Sequence, residues 1–442
     1  HHAKAPWLLA SEEARAAAGG EAVDQDSGAT TGGIMLSAIA EAQRELVGAT
    51  EGDPTIPTGG AVVDPDVLWA CTTCGACVEQ CPVDIEHVDH IVDMRRNQVL
   101  IESEFPSELG TLFRNLENKG NPWGQNAKER LDWTKKLGFT VNVFGSDGEG
   151  HLAPETEYLF WIGCAGAFDD GARKTVQATA ELLHRAGVEY TVLGPEETCT
   201  GDPARRSGNE FLFQMLAQQN VEVLNSVFEG REPGTRKIVT TCPHCLNTLG
   251  REYPQLDGHY EVVHHTQLLN KLVREGKLVP VAAPAEDKFA PVTYHDPCYL
   301  GRHNEIYEEP RALVGAVATL TEMPRHADRS MCCGAGGAQM WMEERIGQRV
   351  NINRTEEAIA TLSDAGSNGA GGTIAVGCPF CKTMLTDGLT QKQGDGSGEG
   401  MQVQDVSQML LAAVKRGDTH SEVSTTNGAA PATEPAKDDS QA

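Results

Sequence analysis

Long apolar runs are missing from this 442-residue chain: no stretch of about eighteen apolar residues occurs, so no membrane-spanning helix is expected. Positive charge is scarce as well. Its 36 lysines and arginines face 63 aspartates and glutamates, for a formal net charge of −27. That balance excludes a nucleic-acid partner, which needs a basic face to meet phosphates, and fits carboxylates spread over solvated helices. No Gly-rich phosphate loop follows a strand-like run, so a nucleotide site is unsupported. The residues His1-His2-Ala3-Lys4 lead into a charged, alanine-rich stretch rather than an apolar signal core. A reducing cytosol is therefore the expected compartment.

Cysteine is what the chain does have. Its thirteen cysteines are odd in number and sit in close groups, unlike a disulfide framework, so they read as metal ligands. The tightest group is CTTCGACVEQCP, with Cys71, Cys74, Cys77 and Cys81 followed by Pro82. This is the C-x2-C-x2-C-x3-C-P run of bacterial ferredoxins. Three close thiolates suit three corners of a 4Fe–4S cubane, and the proline turns the chain away behind Cys81. In two-cluster proteins the fourth cysteine serves the other cluster, whose own triplet this sequence does not contain. Either Cys81 closes a single cluster, or the chain is a fragment whose first motif lies before His1; the abrupt start favours a fragment. Zinc is the alternative that the four-cysteine run ending in proline disfavours.

The other nine cysteines form two copies of one pattern. The first reads LFWIGCAGAF (Cys164), EETCTGD (Cys199) and KIVTTCPHC (Cys242, Cys245). The second reads VTYHDPCYLG (Cys298), MCCGAGG (Cys332, Cys333) and TIAVGCPFC (Cys378, Cys381). The copies span almost the same length and share apolar lead-ins, which points to internal duplication. Strand-like runs (YLFWIG, YTVLG, KIVTT; VTYH, TIAVG) alternate with helical stretches, so an α/β fold with parallel strands is expected. The cysteines follow strand ends, where open α/β sheets bind ligands. Gly334, Gly336 and Gly337 suit a loop that wraps a cluster closely.

The rest of the chain is organised around these motifs. A helix is expected over Met35–Leu46, and Asp64 caps a short helix, VLWA, that runs into Cys71. Helical segments continue to Leu137, broken at NKGNPWGQ. The expected division is a helical ferredoxin-like domain over residues 1–150, a first cysteine-rich domain over 151–284, a second over 285–417, and a disordered tail over 418–442. VPVAAPAEDKFAP links the two copies.

A ferredoxin motif followed by two such copies resembles the heterodisulfide-reductase-like iron–sulfur oxidoreductases with cysteine-rich (CCG) domains. The same domain recurs in iron–sulfur subunits of glycolate oxidase, lactate-utilisation and anaerobic glycerol-3-phosphate dehydrogenase systems. The likeness is nearest to membrane-associated actinobacterial proteins, whose longer chains carry a membrane domain upstream. It implies a non-cubane 4Fe–4S cluster on Cys298, Cys332, Cys333, Cys378 and Cys381, acting on a disulfide or thiol substrate. It also implies a redox partner, either a flavoprotein or a quinone-reactive membrane domain, and a place at the inner face of the membrane. The alternative function is that of a pure electron-transfer subunit of a flavin-dependent dehydrogenase system feeding the quinone pool. The first copy departs from the pattern, because Thr200 stands where a second adjacent cysteine is expected. Four thiolates suffice for an ordinary 4Fe–4S cubane, and zinc is the alternative there. The expected electron path runs from the cluster at Cys71–Cys77 across the first copy to the site at Cys298–Cys381. His295, His303, Arg302, Arg325 and Arg329 flank the second copy's cysteines as candidates for proton relay or anion binding.

Overall fold

The computed structural model describes residues 44–49, 60–146, 148, 150–282, 291–367 and 371–426. Its strands are all parallel and fall into two sheets, as the alternating pattern predicts. The first holds β1 (Asn142–Val143), β2 (Tyr158–Trp161), β3 (Tyr190–Val192), β4 (Lys237–Thr240) and β5 (Glu261–His264) in the order β1-β3-β2-β4-β5. The second holds β6 (Val292–His295), β7 (Thr373–Val376) and β8 (Gln402–Asp405) in the order β6-β7-β8. Beside β6, Leu320 makes an isolated parallel bridge to Val292. Tyr190 of β3 meets Tyr158, the first residue of β2, in the same way. The two sheets therefore repeat one strand order, and β1 is an addition that reaches the first sheet from before residue 151.

β2, β3, β6 and β7 are buried along their whole length. Such strands read as continuous apolar runs because helices cover both faces of a parallel sheet. Among these helices, Asp170–Arg185 from the first copy and Val406–Thr426 from the second share one core cluster, which includes Val176, Leu183, Leu410 and Val414. That common core joins the copies. The last helix runs past Gly417 to Thr426, and Asp418 pairs with Arg185 at 2.5 Å. Extending a formed helix adds a hydrogen bond for each residue fixed, which carries this polar segment into a region expected to be a disordered tail.

The segment before the first sheet is helical, as expected. Asp64 caps Pro65–Ala70 by accepting from the Asp66 N–H at 2.8 Å. Helices His87–Asn97 and Ser107–Lys119 follow, the latter closed by Gly120 at φ 62°. A 3-10 segment spans Ala127–Lys136. The helix expected at Met35–Leu46 lies outside the described residues except for Arg44–Leu46, which are not helical. Among the described residues no helix is long and apolar enough to cross a membrane.

One side chain joins all three parts. Arg95, fully buried, donates to the carbonyls of Leu68, Trp69 and Cys71, of Arg206 in the first copy, and of Gly337 in the second. The Gly-rich loop closes the same junction: a Cβ on Gly336 would meet Thr72 O at 2.2 Å, and one on Gly337 would meet Cys71 O at 2.3 Å. These glycines are thus required by the close approach of the ferredoxin motif's backbone. Arg95→Leu is expected to destabilise the protein by on the order of 4 kcal/mol, since buried carbonyls lose a charged donor. Denaturant unfolding of the two proteins measures this, and a loss under about 1 kcal/mol would refute the role.

Candidate metal centres

The spacing of the two Cys-Pro-x-Cys motifs follows from helix geometry. Cys242 and Cys378 are the N-cap residues of the helices Pro243–Asn247 and Pro379–Gly394, with proline at N1 in each. Proline's fixed φ suits that position and its missing N–H costs nothing there. The second cysteine, one turn later, lies on the same helix face as the first. Cys164 and Cys298 come from the neighbouring strand ends, beyond β2 and β6, which pair directly with β4 and β7. Each of these trios thus sits where the strand order reverses, the crevice such sheets offer to ligands. The remaining cysteines arrive on loops.

In the first copy Cys164, Cys199, Cys242 and Cys245 are all buried and line one pocket. Arg130 reaches this set from the preceding 3-10 segment: its Nη2 donates to Cys164 Sγ at 3.1 Å and its Nη1 to Glu197 at 2.8 Å. Glu197 in turn accepts the backbone N–H groups of Ile162 and Gly163. Burial pushes the Cys164 thiol up, but Cys199 and the guanidinium together outweigh it and leave the thiol lowered. Its proton-sharing partner Cys199 is pushed well up. Thr200 is buried beside these cysteines.

In the second copy the five thiols form a continuous chain of contacts, Cys298–Cys332–Cys333–Cys381–Cys378. Cys332 is half-buried and the rest are buried. Donation from its neighbours Cys332 and Cys381 holds Cys333 well below the usual thiol range. Contact with Cys332 pushes Cys298 well up, and burial does the same to Cys381. So many touching thiols cannot all ionise without a cation among them. This donor set, with thirteen free cysteines in the chain, suits iron–sulfur chemistry rather than disulfide pairing. His295 faces the set: one of its ring nitrogens lies within 4.8 Å of Cys333 Sγ and Cys381 Sγ. Burial beside Arg354 lowers the His295 pKa to about 3, so the ring is neutral.

The ferredoxin motif docks onto this second set. Cys77 is exposed and Cys71, Cys74 and Cys81 are half-buried. Thr73 N–H donates to Cys71 Sγ at 3.3 Å, and Ile85 N–H to Cys81 Sγ at 3.4 Å. The thiol of Cys74 is in hydrogen-bonding contact with Cys332. The motif therefore adjoins the second copy directly, without the first copy between them as the expected path had it. Tyr299, next to Cys298, binds the three motifs together. Its ring stacks on His244 at 4.1 Å and on His303 at 4.2 Å, and its hydroxyl meets Thr73 Oγ1 at 2.9 Å.

Two histidines, His244 and His303, sit at this junction. His244, inside the first copy's Cys-Pro-His-Cys, pairs with Asp202 at 3.0 Å and packs edge-on against Phe380 of the second copy's motif. Although burial opposes it, Asp202 raises the His244 pKa to about 9. His303 bonds the Thr73 carbonyl at 3.0 Å. Arg302 binds the carbonyls of Cys74, Asp328 and Ser330, Arg325 pairs with Glu357, and Arg329 is exposed, so two of the three anion-binding candidates are already paired within the protein.

Arg130 lies outside the motifs, whereas Glu197 and Asp202 lie within EETCTGD and Tyr299 directly follows Cys298, but the partners of all four are not legible from those stretches. Arg130→Met is expected to cost about 3–5 kcal/mol, because Glu197 is left buried and unpaired. The double variant Arg130→Met/Glu197→Gln should recover most of that loss in the same unfolding assay. Equal losses in both variants would show that the pair is not coupled.

The matches to known proteins follow the same layout. A family model described as a cysteine-rich (CCG) domain matches residues 158–250 and again 292–386. The chain is 40% identical over 396 residues to the probable iron-sulfur-binding oxidoreductase FadF of Bacillus subtilis, covering 88% of this chain and 52% of that protein. It is 38% identical to the EtfAB:quinone oxidoreductase of Syntrophomonas wolfei, covering 93% and 53%. It is 28% identical to a subunit of the dihydromethanophenazine:CoB–CoM heterodisulfide reductase of Methanosarcina mazei, covering 84% and 82%. The chain thus spans about half the length of the first two relatives. The chain thus holds two cysteine-rich (CCG) domains with a ferredoxin motif ahead of them, and it is similar to proteins named as an iron–sulfur-binding oxidoreductase and a heterodisulfide reductase subunit.

Proposed function

We propose that this chain is the iron–sulfur part of an oxidoreductase that passes electrons singly between a flavoprotein and a quinone-reactive partner at the membrane. The contact between Cys74 and Cys332 carries this reading, because it sets a ferredoxin motif directly against the five-cysteine set. Cys71, Cys74, Cys77 and Cys81 would hold a ferredoxin-type 4Fe–4S cluster, and Cys298, Cys332, Cys333, Cys378 and Cys381 a non-cubane one. Cys164, Cys199, Cys242 and Cys245 would hold a 4Fe–4S cubane, with structural zinc as the alternative. Such clusters supply one-electron steps whose potentials depend on burial and on hydrogen bonds to sulfur.

The chain's own residues set the route and exclude water. Cys77, the exposed thiol, marks the edge that a redox partner reaches. Eight of the nine cysteines in the two copies are buried, which suits transfer through protein more than encounter with a substrate. The stack of His244, Tyr299 and His303 holds the three sets against one another. The likeness to a quinone oxidoreductase supports the quinone-linked assignment.

A second reading is favoured by the adjacent Cys332 and Cys333 and by the likeness to the heterodisulfide reductase. In it a disulfide at the five-cysteine set takes up two electrons, delivered one at a time, and two protons to give two thiols. Anaerobic iron, sulfide and zinc analysis with electron paramagnetic resonance on wild type and Cys333→Ala separates the readings. The relay predicts about twelve iron atoms per chain, or about eight with one zinc. It also predicts reduced-state signals indifferent to added thiol or disulfide. An oxidised-state signal that responds to thiol and vanishes in Cys333→Ala would establish the disulfide reading instead.

A further inference from the structure

His295 is the last residue of β6, three positions before Cys298, and is 1% exposed. Its Nδ1 lies 3.0 Å from Nε of Arg354, itself fully buried. A guanidinium only donates. Nδ1 must therefore accept, and the proton of the neutral ring sits on Nε2. That Nε2 is buried and has no hydrogen-bond partner. The ring meanwhile lies against Cys333 and Cys381, with a ring nitrogen within 4.8 Å of both sulfurs.

The first copy repeats the arrangement with different chemistry. Trp161 is the last residue of β2, again three positions before the copy's first cysteine. Its indole Nε1, which can only donate, is likewise buried without a partner. The ring packs in the same apolar cluster as Cys164, Cys199, Cys242 and Cys245. Two different side chains thus bring a ring N–H to one place in the repeated fold.

We infer that the Nε2–H of His295 donates a hydrogen bond to a sulfur of the group held by the five-cysteine set, and that Trp161 does the same in the first copy. His295 is then a positioning residue and not a ligand, because Arg354 leaves Nε2 without a lone pair to offer a metal. The inference rests on the reading that the five cysteines hold an iron–sulfur cluster. A donor to sulfur stabilises the more negative, reduced state, so removing it lowers the reduction potential.

The test compares anaerobically purified wild type, labelled with 15N-histidine, with His295→Ala, His295→Gln and the double variant Cys378→Ala/Cys381→Ala. His295→Ala should keep wild-type iron and sulfide content and wild-type circular dichroism. Its second-site potential should shift negative, and a weak 15N coupling to the paramagnetic cluster should disappear. His295→Gln, whose amide can donate from the same side, should restore part of the potential. Iron loss in His295→Ala as deep as in the double cysteine variant would make His295 a ligand and overturn the inference. An unchanged potential and coupling would overturn it too. Failure of the underlying reading looks different: wild type and the double cysteine variant would then contain equal iron. The imidazole 15N chemical shifts of the diamagnetic site decide the matter in that case. Protonated Nε2 supports the inference and protonated Nδ1 overturns it.

Discussion

Everything in this molecule depends on five carbonyl groups converging on one buried guanidinium. Arg95 draws together the strand of chain leading into Cys71, the end of the first copy's short helix at Arg206, and the second copy's loop at Gly337. Burial lowers its pKa to about 10, still far enough above neutrality to keep the charge. A planar fork with five N–H donors can satisfy acceptors arriving from several directions, which an ammonium group cannot do as rigidly. The glycines at 336 and 337 complete the constraint, since any side chain there would force the ferredoxin motif away from the cysteine loop. Separation by even a few ångströms would break the contact between Cys74 and Cys332.

Electrostatics explain why the cysteine sets are built as they are. Thiols packed in a dry interior resist ionising together, and each set is given compensating charge in its own way. The first has a permanent cation, Arg130, against Cys164, with Glu197 holding that cation in place. The second has His244, kept protonated by Asp202, near Cys378. His244 belongs to the first copy's motif, and Phe380 of the second copy's motif lines the first copy's cysteine pocket, so each copy contributes to the other's environment. The duplication therefore produced an interdependent pair rather than two separate sites.

The departures from symmetry fall at the cysteine sets. Thr200 replaces one cysteine in the first copy, and Arg130 takes up space beside that set. The second copy keeps five thiols, adds His295 where the first has Trp161, and receives the ferredoxin motif. One repeated scaffold thus presents four thiols with a fixed cation on one side and five thiols with a neutral imidazole on the other.

By itself the sequence determined the parts. Apolar runs ending in cysteine marked β2, β4, β6 and β7, because a strand buried on both faces must be apolar and its ligand must follow its end. Proline after the first cysteine of each pair marked a helix start, and spacing then placed the second thiol one turn on. The candidate ligand sets were legible because they are local: neighbouring thiols, a turn and a proline lie within a few residues. Only the tertiary structure decided the assembly. Nothing local to Arg95 or Arg130 distinguishes it from a surface charge, and these two and Asp202 gain their meaning from partners 34 to 242 residues away. The adjacency of Cys74 and Cys332 is of the same kind. Which sites touch depends on how buried groups satisfy one another across the chain, and that is settled only when the three parts close together.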